Sequence, residues 1–307
     1  MSYKIGSFNV FKMNYRSDKE IKKDFELIAE IIKEEKYDII ALQEVLNENV
    51  MGLLMRYLPG WDYRWATPKK SVGNAAEGYA FIWNSRRITL AKSITTTGEK
   101  VFEPRILDQY KIDRKNGQLP LVRNPYYGRF TPAGCLGGCF FEFRLINVHV
   151  RYNGSDENSH SAIIMRKNEF DVLAKAIYPK IADKVYGNNM PSYTIMLGDY
   201  NLNLKRPTNQ SPYLNEMVII NDNGNIKKIV TVQDELTTLK KTTDEDPQST
   251  GYANNYDHFS YDSLRFETIS TEVERVDAVS KYCDDDFNRY HKTVSDHVPV
   301  TMDVDLL

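Results

Sequence analysis

Polar side chains stand just beyond several apolar segments of this sequence, at the points where predicted strands end. Glu44, His149 and Asp199 each lie one or two residues after an apolar run. Runs of this kind are typical of strands that are buried on both faces of a sheet. Ligands of open α/β sheets bind outside the strand ends, where the loops converge. We therefore expect the three side chains to meet at one edge of the fold and to form a catalytic site there.

The periodicity of the apolar residues predicts alternating strands and helices. Residues 3–10 alternate as a strand does, residues 21–32 repeat at helical spacing, and residues 39–42 form a short apolar run. This order of strand, helix and strand is typical of an α/β fold. Later strands are predicted at 79–83, 88–93, 140–148, 193–197, 258–261, 273–280 and 298–304, with a helix at 161–178 and polar loops at 99–128 and 205–256. Because the sequence has no repeat and no linker, it predicts one domain over residues 1–307.

Composition narrows the classes of function. The 307 residues carry a net charge of −2, so no global positive field attracts the protein to nucleic acid or to an acidic membrane. An anionic substrate must therefore be attracted by a local patch or by a bound metal ion. No apolar stretch approaches the ~18 residues of a membrane span, and the N-terminus has no signal peptide. We expect a cytoplasmic protein, or a secreted one if a signal peptide has been removed.

The cysteines Cys135, Cys139 and Cys283 are too few for a disulfide framework. Cys135 and Cys139 could bridge a small loop in an oxidising compartment, but two reduced thiols are the simpler interpretation. Their spacing does not match a metal-binding motif.

Two of the strand-end segments have residue types that suit metal-assisted chemistry. A carboxylate such as Glu44 is unfavourable beside a buried strand without a positive partner, and Mg²⁺ binds one or two carboxylates together with waters and substrate oxygens. Asp199 and Asn201 stand two residues apart and project to the same side of an extended chain. One could orient a water while the other donates to a phosphate oxygen. A helix-capping glutamate and an ordinary Gly-Asp turn are the alternatives.

A third segment, Ser295-Asp296-His297, precedes the last predicted strand. It supplies a carboxylate that could bind a metal ion, with an imidazole directly after it. Such an imidazole needs an acid to fix its tautomer and to stabilise its charged form, and Asp257 is the candidate. A structural histidine is the alternative for His297 alone, but it does not explain several such motifs together.

The order of these motifs along the chain resembles that of the endonuclease/exonuclease/phosphatase superfamily. The matching segments extend over roughly residues 3–305 and contain Asn9, Glu44, His149, Asp199, Asn201, Asp257, Asp296 and His297. The resemblance implies an α/β fold with two packed mixed β-sheets flanked by helices, which is a four-layer α/β sandwich.

Metal binding is the first property that the resemblance implies. Glu44 corresponds to the main metal carboxylate, and Asn9 and Asp296 are expected near the same ion. The cofactor is then Mg²⁺, with Mn²⁺ or Ca²⁺ as substitutes. A metal ion and imidazolium groups suit phosphoester hydrolysis, because negative charge develops on the phosphoryl oxygens.

Catalysis is the second property that the resemblance implies. Asp199 and Asn201 correspond to the pair that handles the attacking water and the phosphoryl group. His297, oriented by Asp257, corresponds to the catalytic histidine, and His149 corresponds to a second histidine.

Within the superfamily, the chain resembles the deoxyribonuclease I-like branch. Glu77 corresponds to a glutamate that pairs with the second histidine, His149. Arg129 is expected to contact a substrate phosphate, as an arginine before a strand does in that branch. Leu46 and Ala75 depart from the pattern, because they stand where the branch has an arginine and a tyrosine that contact DNA.

The predicted function is therefore hydrolysis of phosphodiesters by in-line attack of an activated water. A DNA endonuclease acting as a monomer is the first expectation. The departures at Leu46 and Ala75 leave open a phosphatase or phospholipase-type enzyme that acts on inositol phosphates, sphingomyelin or nucleotides. A scaffold without chemistry would lack members of the catalytic set, and none is missing from the sequence.

Overall fold

The computed structural model describes residues 1–14, 23–68, 77–95, 98–107, 121–134, 140–151, 160–186, 190–204, 216–220, 224–240 and 250–306. Ala75, Cys135 and Cys139 lie outside these residues. Cys283 is a buried free thiol.

The strands of the described ranges are β1 (Ser2–Met13), β2 (Ile39–Val45), β3 (Trp61–Ala66), β4 (Gly78–Asn84), β5 (Ile88–Leu90), β6 (Lys92–Thr95), β7 (Gly98–Val101), β8 (Arg105–Ile106), β9 (Tyr126–Pro132), β10 (Glu142–His149), β11 (Ser192–Asp199), β12 (Glu216–Ile220), β13 (Ile226–Val232), β14 (Asp257–Asp262), β15 (Ser270–Arg275) and β16 (Val300–Asp305).

These strands form two large mixed sheets and one short hairpin. The six-stranded sheet has the order β15-β16-β1-β2-β4-β3. The eight-stranded sheet has the order β12-β13-β14-β11-β10-β9-β5, with β8 added beside β9. Each large sheet contains one parallel pair, β1 with β2 and β10 with β11. Parallel neighbours end at the same edge of a sheet, so each pair delivers its last residues to one place.

Helices cover the outer faces of the sheets: α1 (Phe25–Glu34), α2 (Glu48–Leu54), α3 (His160–Val172), α4 (Tyr178–Ala182), α5 (Ala278–Cys283) and α6 (Phe287–Thr293). A π-helical turn, Leu173–Ile177, joins α3 to α4. The side chain of Asp24 caps α1 by accepting a hydrogen bond from the backbone N–H of Leu27. None of the helices in the described ranges combines the length and the apolarity needed to cross a bilayer.

Three hydrophobic cores hold the layers together. Ile39 from the six-stranded sheet and Leu145 from the eight-stranded sheet are part of the core between the sheets. Side chains of α1 such as Ile28 pack on the outer face of the six-stranded sheet, and Phe170 of α3 packs on the outer face of the eight-stranded sheet. The four-layer α/β sandwich predicted from the sequence is confirmed, while a single domain over residues 1–307 stays a prediction.

Several local expectations are corrected by the structure. The predicted loop 205–256 contains β12 and β13. These strands form a hairpin at the edge of the sheet, and its lysines and exposed residues make this part of the sequence as polar as a loop. The predicted strand 273–280 is wrong in its second half, because β15 ends at Arg275 and α5 begins at Ala278.

Candidate active site

Neighbouring strand ends bring the predicted side chains together. His149 at the end of β10 pairs in register with Asp199 at the end of β11, and Asp199 pairs with Asp257 at the start of β14. All three side chains are buried. Asn9 on β1 and Glu44 on β2 reach the same place from the other sheet, and Asn9 Nδ2 donates a hydrogen bond to Asp199 Oδ2 at 3.0 Å. The site therefore lies between the two sheets, at the edge where the parallel strands end.

Asp199 is the centre of this cluster. Its Oδ2 lies 3.5 Å from Nε2 of His149 and 3.8 Å from Nε2 of His297. Its Oδ1 accepts a hydrogen bond of 2.8 Å from the backbone N–H of Asn201. Two imidazoles thus face the same oxygen of a carboxylate that is 1% exposed. This arrangement can share or transfer a proton, because both rings present the same nitrogen to one acceptor.

Each imidazole has a second carboxylate behind it. His149 Nδ1 lies 3.1 Å from Glu77 Oε2, and His297 Nδ1 lies 2.7 Å from Asp257 Oδ2. A carboxylate at Nδ1 orients a histidine ring. The structure therefore brings together both pairs that were expected from the sequence.

Glu44 sits in an irregular part of β2. Its φ is +61°, in the left-handed region, and the register between β2 and β4 shifts between Gln43 and Val45. Such backbone is uncommon for residues other than glycine and concentrates at functional sites. Oε1 of Glu44 accepts a hydrogen bond from Asn9 Nδ2 at 3.1 Å, and Oε2 accepts one from the backbone N–H of Lys12 at 3.0 Å. The irregular backbone and these two hydrogen bonds thus fix the carboxylate of Glu44 at the entrance of the site.

The carboxylates of the site could hold a divalent cation. Ligand atoms of Glu44, Glu77 and His149 lie within 4.8 Å of one another. Glu77, however, is already paired with Arg123 as well as with His149. Asp296 presents a buried Oδ1 with no hydrogen-bond partner in the described part of the chain. Because hard divalent cations prefer oxygen ligands, Glu44 is the carboxylate of this group that suits such an ion, and a place for Asp296 beside the same ion stays a prediction.

The hydrogen bonds of Asn9 fix the orientation of its amide group. Its Oδ1 accepts a hydrogen bond from the backbone N–H of Phe11 at 3.0 Å. Since that group can only donate, the amide is fixed with its nitrogen toward Glu44 and Asp199. Asn9 therefore links two carboxylates of the site through its nitrogen, and its place near a metal ion stays a prediction.

Arg129 is not brought to the site. It lies within β9, paired in register with Arg144 and five positions along β10 from His149. Its guanidinium group pairs with Glu142 and lies 3.5 Å from the centre of the Tyr186 ring. Side chains alternate between the faces of a strand, so Arg129 faces the helix layer with Arg144 whereas His149 faces the other sheet. The expected phosphate contact of Arg129 is corrected accordingly.

Arg123 is an arginine of the site that was not predicted from the sequence. It lies in the segment before β9, pairs with Glu77 and has a buried Nη1 with no hydrogen-bond partner in the described ranges. Although burial opposes ionisation of Glu77, His149 and Arg123 lower the pKa of Glu77 to about 2. Its position before β9 is the sequence feature that could have identified it. An arginine in a loop can reach a site at the strand ends, whereas an arginine within a strand that is covered by helices cannot reach that site.

Burial and neighbouring charges shift two further pKa values. Burial raises the pKa of Asp199 to about 6, although His297 and His149 act in the opposite direction. Burial also disfavours the charged form of His297, but Asp257 and Asp199 outweigh it and hold the pKa of His297 well above its ordinary value. Near neutral pH, the imidazole of His297 is therefore protonated beside an ionised or nearly ionised Asp199.

Comparison with known proteins gives matches among solved structures only. No protein-family model and no curated protein matches the sequence. An endonuclease/exonuclease/phosphatase family protein from Bacteroides thetaiotaomicron is 15% identical, with 100% of this chain and 99% of that chain covered and a TM-score of 0.55. A mannosyl-6-phosphatase from Bacteroides thetaiotaomicron VPI-5482 is 14% identical, with 99% and 100% covered and a TM-score of 0.55.

A further match is to TDP2 of D. rerio complexed with a single strand DNA product. It is 12% identical, with 99% of each chain covered and a TM-score of 0.56. At such low identity these matches bear on the fold, and they agree in covering nearly the whole chain. The protein therefore has the fold of the endonuclease/exonuclease/phosphatase superfamily, as the order of its sequence motifs predicts.

Proposed function

We propose that this protein is a divalent-cation-dependent phosphodiester hydrolase that cuts DNA internally, as deoxyribonuclease I-like endonucleases do. The observation that carries the proposal is the placement of His149 and His297 on the same oxygen of Asp199, at 3.5 and 3.8 Å. Each ring also has its own carboxylate partner. This arrangement suits a reaction in which a water loses a proton while negative charge grows on phosphoryl oxygens.

Asp199 is the proposed base. With its pKa raised to about 6, it is mostly ionised at neutral pH and still basic enough to accept a proton from an attacking water. His297 is held protonated by Asp257. It gives its Nε2 proton to the leaving oxygen as the bond from phosphorus to that oxygen breaks and the bond from phosphorus to the water oxygen forms. Asn201 already uses one amide hydrogen on the carbonyl oxygen of Val150, which leaves the other for the phosphate.

In this proposal, a cation and Arg123 supply further positive charge to the phosphate. Glu44 and Asp296 would hold the cation, which we propose to be Mg²⁺ with Mn²⁺ or Ca²⁺ as substitutes, and which supplies charge to the phosphoryl group when bound. The hydrogen bonds from Asn9 and Lys12 hold the carboxylate of Glu44 in one place. Nη1 of Arg123, buried and without a partner in the described ranges, is suited to donate to a phosphate oxygen.

A second candidate function is a phosphatase that acts on phosphomonoesters. Leu46 supports it, because this half-buried leucine stands beside Glu44 and offers no charge to a DNA groove. The net charge of −2 also gives no general attraction to DNA. The fold is compatible with both classes, since one structural neighbour is named a mannosyl-6-phosphatase and another contains a DNA product.

The test is a substrate screen with Mg²⁺, Mn²⁺ and Ca²⁺. We expect nicking of supercoiled plasmid, hydrolysis of bis(4-nitrophenyl) phosphate, and loss of both activities when EDTA removes the cation. His297→Ala should lower kcat by about 10²- to 10⁴-fold. Release of phosphate from sugar or inositol monophosphates without nicking would favour the second candidate. Full activity in EDTA, or in the His297→Ala variant, would contradict the proposed chemistry.

Asp257→Asn is expected to move the alkaline limb of the pH–rate profile to lower pH by at least about one unit. The carboxylate of Asp257 lies 2.7 Å from His297 Nδ1 and raises the pKa of that imidazole. A neutral amide keeps the hydrogen bond but removes the charge. The measurement is kcat for bis(4-nitrophenyl) phosphate against pH in both proteins, and coincident alkaline limbs would rule out this role of Asp257.

The same substitution should change stability in a pH-dependent way. The protonated His297–Asp257 pair stabilises the fold fully below the ordinary pKa of histidine, and this contribution is lost as pH rises through the raised pKa of His297. The loss of unfolding free energy in Asp257→Asn should therefore be larger in mildly acidic buffer than in alkaline buffer. Urea denaturation of the metal-free proteins at the two pH values measures it.

A further inference from the structure

Glu169 on α3 joins two segments that flank the site. Its Oε1 accepts a hydrogen bond from the backbone N–H of Val122 at 2.9 Å, and its Oε2 accepts one from the backbone N–H of Arg151 at 3.0 Å. Val122 directly precedes Arg123, and Arg151 follows His149 by two residues. One carboxylate, only 6% exposed, therefore connects the segment of the phosphate-binding arginine to the strand end that carries a catalytic histidine.

We infer that Glu169 is a positioning residue that holds Arg123 in register with His149 for binding of the substrate phosphate. The inference rests on the proposed function. Both oxygens of Glu169 already accept hydrogen bonds from backbone N–H groups. It acts through the two backbone groups, by fixing the distance between the two segments.

The chemistry of the two contacts requires a carboxylate. Each oxygen faces one N–H donor, whereas the amide of a glutamine has a single acceptor and would turn its nitrogen toward the other donor. Burial raises the pKa of Glu169, although the two N–H groups, Arg123 and Arg151 act against this. Burial of a carboxyl group is energetically unfavourable unless the group is hydrogen-bonded. The two hydrogen bonds that Glu169 accepts therefore account for its buried position.

The test is a double-mutant cycle with Glu169→Gln and Arg123→Ala, using bis(4-nitrophenyl) phosphate and Mn²⁺. In the wild-type background, Glu169→Gln should lower kcat/KM by about tenfold, mainly through KM. In the Arg123→Ala background the same change should lower it by less than about twofold, because the group being positioned is gone. Glu30→Gln, an exposed change on α1, is the matched control and should change neither value. Equal losses in both backgrounds would overturn the inference and make Glu169 merely structural.

Hydrogen exchange supplies a second measurement that does not depend on activity. In the metal-free protein, Glu169→Gln should speed exchange of the amides in 121–124 and 150–151, while the amides of 39–45 in the buried β2 keep the wild-type rate. Unchanged exchange at Val122 and Arg151 would overturn the inference. If the wild type hydrolysed no phosphoester but the exchange rates changed as expected, the proposed function would fail while the link between the two segments would stand.

Discussion

Asp199→Asn is expected to lower kcat by about 10³-fold or more, with little change in KM. The carboxylate has the two histidine rings at one oxygen and the backbone N–H of Asn201 at the other. An asparagine has the same shape but cannot accept a proton from the attacking water. Hydrolysis of bis(4-nitrophenyl) phosphate with Mn²⁺ measures the loss. A variant that keeps more than about a tenth of the wild-type kcat would show that another group is the base.

A matched control separates this loss from damage to the fold. Asp305→Asn makes the same chemical change at an exposed position on β16 and should leave kcat unchanged.

The raised pKa of Asp199 also predicts how the stability of the protein depends on pH. In the metal-free wild type, the contribution of Asp199 to stability is fully present below the ordinary pKa of 3.8 and is lost as pH rises through about 6, because a buried carboxylate ionises. Asp199→Asn lacks this loss, so its unfolding free energy relative to wild type should rise over that interval of pH.

The position of the site could be predicted from the sequence because strand ends are visible in it. Apolar runs end one or two residues before Glu44, His149 and Asp199, and parallel pairing brings the last residues of neighbouring strands to one edge. Register then sets His149 beside Asp199. This prediction needed no tertiary information beyond the assumption of an α/β sheet.

Two arginines show what could not be predicted from the sequence. Arg129 and Arg123 lie close in sequence, yet one faces the helix layer beside Glu142 and the other pairs with Glu77 in the site. Which face of β9 is covered by helices depends on the packing of α3 and α4, which are distant in sequence. A charge within an apolar strand can be neutralised in the fold, as Arg129 is, so its residue type alone does not indicate a substrate contact.

The amide of Asn9 is another case in which residue type was insufficient. An asparagine beside a metal carboxylate can offer either its oxygen or its nitrogen, and the sequence does not distinguish them. The left-handed backbone just after it, with φ of +41° at Phe11, turns the N–H of Phe11 back to Asn9 Oδ1. The orientation of the Asn9 amide is therefore decided by a local distortion of β1 that has no evident sequence signal.

Gly198→Ala is expected to destabilise the protein by more than about 3 kcal/mol and to abolish activity in what remains folded. Gly198 lies in β11 between Leu197 and Asp199 with φ of +145°, a conformation that L side chains rarely adopt. A Cβ at this position would overlap the backbone carbonyl of Val148 on the neighbouring strand. Because β10 and β11 would have to separate, the register that sets His149 beside Asp199 would be lost.

Gly52→Ala is the matched control for that prediction. Gly52 is exposed on α2, and a Cβ there meets nothing within 4 Å, so alanine should stabilise the helix by about 0.5–1 kcal/mol. Urea denaturation of the wild type and the two variants gives the unfolding free energies. The kcat measured with Mn²⁺ shows whether the candidate site is intact. If Gly198→Ala matched the wild type in both, the close contact between β10 and β11 would not be what holds the two strand ends of the candidate site in place.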